Sequence, residues 1–131
     1  MTKDKKNLII ALSAVAVWIT AFTILAFKKY FSFNCGIDLA NIYQPLYNTL
    51  HGKFMQMTFD GLDKNICRWE GHEEIFFIFI LPLFAIAPHP LTLLLIQSLA
   101  VGAAAILVYR IACKKLENSD IALQILLAFL L

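Results

Sequence analysis

From Leu8 to Phe27 the chain runs for twenty residues without a single charged side chain. Wound as an α-helix, twenty residues rise about 30 Å, the thickness of a bilayer's hydrocarbon core. A chain of 131 residues has too little remaining mass to wrap such a rod in a soluble core. Composition agrees, with 60% apolar and 15% charged residues, where soluble domains run near half and a quarter. A cleaved signal peptide fits less well. Met1–Lys6 supplies a basic start, but the apolar run exceeds the short core of a signal. Ala26-Phe27-Lys28-Lys29-Tyr30 also offers no small-x-small cleavage pattern. The segment is read as an uncleaved membrane span.

A polar loop follows, from Lys28 to about Glu74. Next comes an apolar block, Ile75 to about Cys113, broken by Pro82 and by Pro88-His89-Pro90. Leu91–Cys113 is long enough to cross a membrane, and Gly102 with Ala103–Ala105 offers small residues for close helix packing. Ile75–Ala87 reaches only about 20 Å as a helix. It is therefore expected to lie at the surface or re-enter rather than cross. After the turn Lys114–Asp120, the apolar run Ile121–Leu131 reads as about half a span, so the chain reads as the N-terminal part of a longer one. The expected fold class is all-α: polytopic transmembrane helices, with an extracytoplasmic first loop holding short interfacial helices.

Net charge is +2 and spread over several loops, which gives no basic stripe and hence no case for nucleic acid. The expected partner is the lipid bilayer, and the expected location is the cell membrane. With the N-terminus inside, Lys3, Lys5, Lys6, Arg110, Lys114 and Lys115 face Lys28, Lys29, Lys53, Lys64 and Arg68 across the membrane. Six basic residues against five is a weak orientation signal. Charge alone would prefer the opposite arrangement if Ile75–Ala87 crossed; its length and prolines argue against that crossing. Cys35, Cys67 and Cys113 show no metal-type spacing, and free thiols are the favoured reading of the first two.

Within the loop, Ile37, Leu39, Ile42, Tyr43, Leu46, Tyr47 and Leu50 recur at amphipathic-helix spacing. Asp38 stands where a cap would, His51-Gly52 makes a stop, and Pro45 predicts a kink or two short helices. The apolar face and its tyrosines predict a helix lying along the interface. Asp38 has two readings, a helix cap or a carboxylate held at the membrane as a general base. Several other acids and imidazoles crowd this loop: His51, Asp60, Asp63, Glu70, His72, Glu73 and Glu74. They could hold a divalent metal or relay protons, but their spacing matches no established ligand pattern and a solvated loop is the more ordinary reading. Trp69 reads as an interfacial anchor.

Ile37-Asp38-Leu39, Gln44, Leu46 and Tyr47-Asn48-Thr49-Leu50-His51-Gly52 form one ordered motif. Gly71-His72, Leu81-Pro82-Leu83-Phe84-Ala85, Pro88-His89-Pro90-Leu91-Thr92-Leu93-Leu94, Gln97 and Tyr109-Arg110 to Lys115 form a second. Together they resemble the predicted-membrane-protein family called domain of unknown function 2079, from about residue 30 to the end. Ala40 departs from its usual glycine, Tyr47 from its tryptophan, and Glu73-Glu74-Ile75 from its F-S-P.

The resemblance implies a place among the GT-C glycosyltransferases, multi-spanning enzymes that use polyprenyl-phosphate-linked sugars. It implies that Asp38 is the catalytic carboxylate of the first outer loop and that His72 contacts substrate or a metal. His51 and Gln44 are further substrate-binding candidates within the matched motif. A polyprenyl-phosphate sugar is the implied donor, and no cofactor is assigned beyond a candidate divalent metal. The resemblance also implies an N-inside topology, with activity belonging to a longer protein than these residues. The competing expectation is a non-catalytic multi-pass membrane subunit.

Overall fold

The computed structural model describes residues 3–58, 65–70 and 75–131. The described residues form α1 (Lys3–Phe31), α2 (Gly36–Leu50), the strands β1 (Gln56–Thr58) and β2 (Asn65–Cys67), a 3-10 turn at Arg68–Glu70, α3 (Phe76–Ile86), α4 (Pro90–Leu116) and α5 (Ser119–Leu130). They divide into two compact units, one of Met1–Lys28 with Leu95–Leu131, the other of Lys29–Leu94.

In the first unit α1, α4 and α5 pack together. Asn7 hydrogen-bonds Ser119 and Asp120, and eleven residues further along both helices Trp18 Nε1 donates to the Leu130 carbonyl at 2.8 Å. Equal offsets mean that α1 and α5 run parallel and in step. The core between the three helices is Ala11, Val15, Ala105, Tyr109, Ala112, Ala122 and Leu126. Alanine predominates because small side chains let helix backbones approach, and close dispersion contact is what holds helices together where lipid is as apolar as leucine. Gly102 marks a point of close approach: a Cβ there would stand 2.6 Å from Ile19 Cγ1 and 3.3 Å from Val15 Cγ1.

α1 and α4 are the two helices long and apolar enough to cross a membrane, yet only 11% and 22% of their apolar windows are buried in the protein. A soluble core helix would be covered by its own chain. Here Ile9, Val17, Ile24, Leu25, Leu107 and Ile111 lie open on the outer faces. At about 25 cal/mol per Å² of apolar surface, leaving those faces in water would cost many kcal/mol. Lipid is the environment that covers them.

In the second unit, α2 lies against α3 and the β1–β2 hairpin. Leu46, Met55, Met57, Phe77 and Phe84 are buried between them. The strands pair antiparallel, with Gln56 opposite Cys67 and Thr58 opposite Asn65. This small sheet was not expected from the sequence: three-residue strands carry too little alternation to register against the apolar runs beside them. The helix boundaries came closer. α2 ends at His51-Gly52 as expected, with Gly52 at φ +79 and Lys53 N–H reaching back to the Asn48 carbonyl, a Schellman termination. α1 ends the same way without glycine. Phe33 takes φ +54 while Asn34 N–H bonds the Lys29 carbonyl.

Pro45 does not split α2, which runs unbroken from Gly36 to Leu50. Proline removes the N–H that would bond the carbonyl four residues back, here Asn41. That carbonyl accepts instead from Arg68 Nη1 at 2.9 Å. The carbonyl that the proline leaves without a backbone donor is thus served by a side chain from the far end of the hairpin.

Candidate functional site

Asp38 is exposed in the first turn of α2. It is not the helix cap: that position belongs to Cys35, which makes no side-chain capping bond. Of the two readings drawn from sequence, the cap is overturned, because the helix begins two residues earlier at Gly36, whose φ of +66 lets the chain turn sharply out of α1. The carboxylate stands in the first turn of α2, near the positive end of the helix dipole.

Beside it, Cys35, Leu39 and Tyr43 recur every fourth residue and so share one side of α2. With Tyr30, Phe33 and Pro90 they line an open, largely apolar groove of about 280 Å³. Burial pushes the Tyr43 phenol above its usual 10, with Tyr47 adding to the shift, so Tyr43 keeps its proton at neutral pH. Phe33 at the rim is 98% exposed, a placement suited to an aromatic ring at the lipid–water boundary.

The other residues named from sequence are not gathered around Asp38. Gln44 uses its side-chain carbonyl to accept from Thr58 N–H at 3.2 Å and Thr58 Oγ1 at 3.1 Å. Asn48 Nδ2 donates to the Gln56 carbonyl, and Thr49 Oγ1 accepts from Met55 N–H. These three polar residues tie α2 to β1 and the turn before it. Their part in the motif includes an architectural one, which the sequence does not reveal because the hairpin they hold leaves no local signal.

The His51 ring lies tilted against Tyr47 with centroids 4.3 Å apart, and Tyr47 stacks on Tyr43 at 5.5 Å. Its Nδ1 lies 2.7 Å from the Tyr47 carbonyl. A carbonyl can only accept, so Nδ1 carries the proton and Nε2 is the lone-pair nitrogen of the neutral ring. Yet His51 stands thirteen residues beyond Asp38, about 20 Å along the helix. One sugar ring cannot touch both.

His72, Asp60, Asp63, Glu73 and Glu74 lie outside the described residues. Among the described residues no three His, Cys, Asp or Glu side chains gather as a metal cluster. Cys35, Cys67 and Cys113 carry free thiols. Arg68 does more than its sequence context suggested. Besides serving Asn41, its guanidinium lies 5.2 Å over the Phe77 ring, joining α2, the hairpin and α3. Trp69 meets Phe54 edge-on at 5.2 Å, so its ring has a packing role within the unit.

Two long apolar helices whose outer faces are left to lipid, with a compact polar-and-aromatic unit between them in sequence, define a helical membrane protein. The chain belongs to the predicted membrane protein family DUF2079, whose model matches residues 29–131. That match takes in the second unit, α4 and α5, and leaves the apolar run Leu8–Phe27 outside it. No curated protein and no solved structure matches the chain.

Proposed function

We propose that this chain forms part of a GT-C-type membrane glycosyltransferase that takes a sugar from a polyprenyl-phosphate carrier at the outer membrane face. The observation that carries the reading is Asp38: an exposed carboxylate in the first turn after the first span, beside an apolar groove, at the position its motif resemblance assigns to catalysis. In this topology the N-terminus is inside and residues 28–74 face outward, with α3 lying at or dipping into the membrane. At eleven residues α3 is too short to cross, and Phe79 and Ile86 on its free side are well exposed.

Asp38 takes the proton of an acceptor hydroxyl as its oxygen attacks the sugar's anomeric carbon. The bond from that carbon to the phosphate oxygen breaks, and its electron pair leaves with the lipid phosphate. Gln44, through its amide nitrogen, and His72 remain the proposed substrate contacts. His51 is too far along α2 to share a sugar with Asp38, and its proposed contact is with a more distant part of the substrate.

Exchanging Asp38 for Asn in the full-length protein should abolish transfer, measured with a radiolabelled lipid-linked sugar, while membrane insertion stays intact. Undiminished transfer would remove Asp38 from the mechanism. A second reading, a non-catalytic multi-pass subunit, draws support from the engagement of Gln44, Asn48 and Thr49 with the hairpin and from the separation of His51 from Asp38. It would be favoured if a complex containing the Asp38→Asn chain kept full activity.

A further inference from the structure

Where α1 begins, α4 ends and α5 begins, the first unit carries an open pocket of about 510 Å³ lined by Asp4, Leu8, Tyr109, Arg110, Lys114 and Glu117 among others. Its size falls within the range of ordinary ligand sites. One wall is braced by Lys3 paired with Asp120, by Asn7 bonded to Ser119 and Asp120, and by Asn118 capping α5. Among the described residues, Lys3–Asp120 is the ion pair at this end, and no such pair joins Asp4, Arg110, Lys114 and Glu117 to one another.

Arg110 and Lys114 are one turn apart on α4 and so stand side by side, close enough for one phosphate to meet both. Asp4 and Glu117 supply two carboxylates to the same pocket. Two positive and two negative charges give no net preference for an anion, but they do match a group carrying a phosphate and an ammonium together. The depth also fits. The apolar run of α1 starts at Leu8, one turn past Asp4, and the uncharged run of α4 stops at Tyr109, one residue before Arg110. Here hydrocarbon gives way to headgroups.

We propose that this pocket binds the zwitterionic headgroup of a phosphatidylethanolamine-type membrane lipid, with its phosphate on Arg110 and Lys114 and its primary ammonium on Asp4 and Glu117. The acyl chains lie against Leu8 and the outer face of α1. The site is separate from Asp38 and stands or falls independently of sugar transfer.

The test is native mass spectrometry of the full-length protein in micelles doped with phosphatidylethanolamine, phosphatidylcholine or phosphatidylglycerol of matched acyl chains. Phosphatidylethanolamine should be retained about tenfold more strongly than the other two, the scale of one charge-assisted hydrogen bond lost. Phosphatidylcholine lacks the N–H donors, and phosphatidylglycerol lacks the ammonium. Arg110→Gln with Lys114→Gln should lower that retention about tenfold. Asp4→Asn with Glu117→Gln should reverse the preference toward phosphatidylglycerol, a gain that misfolding cannot imitate. Equal retention of all three lipids, or an unchanged preference in both double variants, would overturn the proposal. So would soluble glycerophosphoethanolamine binding as tightly as the lipid.

Discussion

Pro45 and Arg68 are best understood as a pair. A proline inside a helix leaves one carbonyl without its usual donor, and a buried orphan carbonyl costs about 1–3 kcal/mol. The Asn41 carbonyl avoids this by accepting from Arg68. The Arg68→Ala variant should therefore lose about 2 kcal/mol of stability, more than a surface arginine would. Pro45→Ala restores an N–H that can bond Asn41, so the same Arg68→Ala change should cost clearly less in that background. A double-mutant cycle, read by chemical unfolding in micelles, isolates the coupling; strictly additive losses would show that the two residues act separately. From sequence, Pro45 was expected to kink α2 or divide it into two short helices, yet the helix is not divided, and the residue that serves its orphaned carbonyl lies twenty-three residues downstream. No local pattern connects the two. The same holds for Gln44: its place in a motif was visible, whereas its bond to Thr58 depended on a hairpin that could not be foreseen.

At the scale of elements, length and composition were the dependable guides. The spans drawn as Leu8–Phe27 and Leu91–Cys113 lie inside α1 and α4; α1 extends about a turn into charged residues at each end, and α4 does so at its C-terminal end, through Lys114 and Lys115. Charge does not stop a helix; it only marks where lipid ends. The small residues singled out for packing are used that way, with Gly102 against Val15 and Ile19 and Ala105 fully buried. Gly102→Val forces atoms into space already filled by Ile19, and overpacking of this kind costs about 1–3 kcal/mol. We expect the variant to separate α1 from α4 more readily, seen as a lower denaturant midpoint in micelles, while Ala103→Val, at an exposed position of the same helix, should leave the midpoint nearly unchanged. Equal effects at the two positions would contradict the packing assignment. The α2 boundaries show the limit of local reading. Its stop at His51-Gly52 was legible because glycine at positive φ has a local cause, but its cap was misplaced by three residues because Cys35 is not a conventional cap.

Over the first unit as a whole, stability should follow pH through Lys3 and Asp120. The hydrogen bond from Lys3, then that from Asn7, holds the Asp120 carboxyl below its usual 3.8. Its contribution is therefore complete above that value and is lost as pH falls through the lower folded pKa. The bond to Asp120, then its charge, raises Lys3 above its usual 10.5. That contribution is complete below 10.5 and disappears as pH rises through the raised value. The contact between the start of α1 and the start of α5 should hold across the whole neutral range. Both partners are substantially exposed, so the effect is small and weakened by salt. Hydrogen exchange at the N-terminal turn of α5 is the measurement: protection should drop below about pH 4, and Asp120→Asn should remove that acid-side loss. An acid transition of equal size in the Asn variant would assign it elsewhere.

The long uncharged run at Leu8–Phe27 established membrane residence without any tertiary information, because crossing a bilayer is a matter of apolar length and every backbone bond of a spanning helix is local. The second span, the helical fold class and the end of α2 followed by the same kind of reasoning. Tertiary structure alone decided that α5 runs parallel to α1, that a small hairpin braces α2, and that Arg68 answers for Pro45. Those outcomes depend on which distant groups meet, and the hydrogen bonds and side-chain fit that bring them together leave no periodic trace in the sequence.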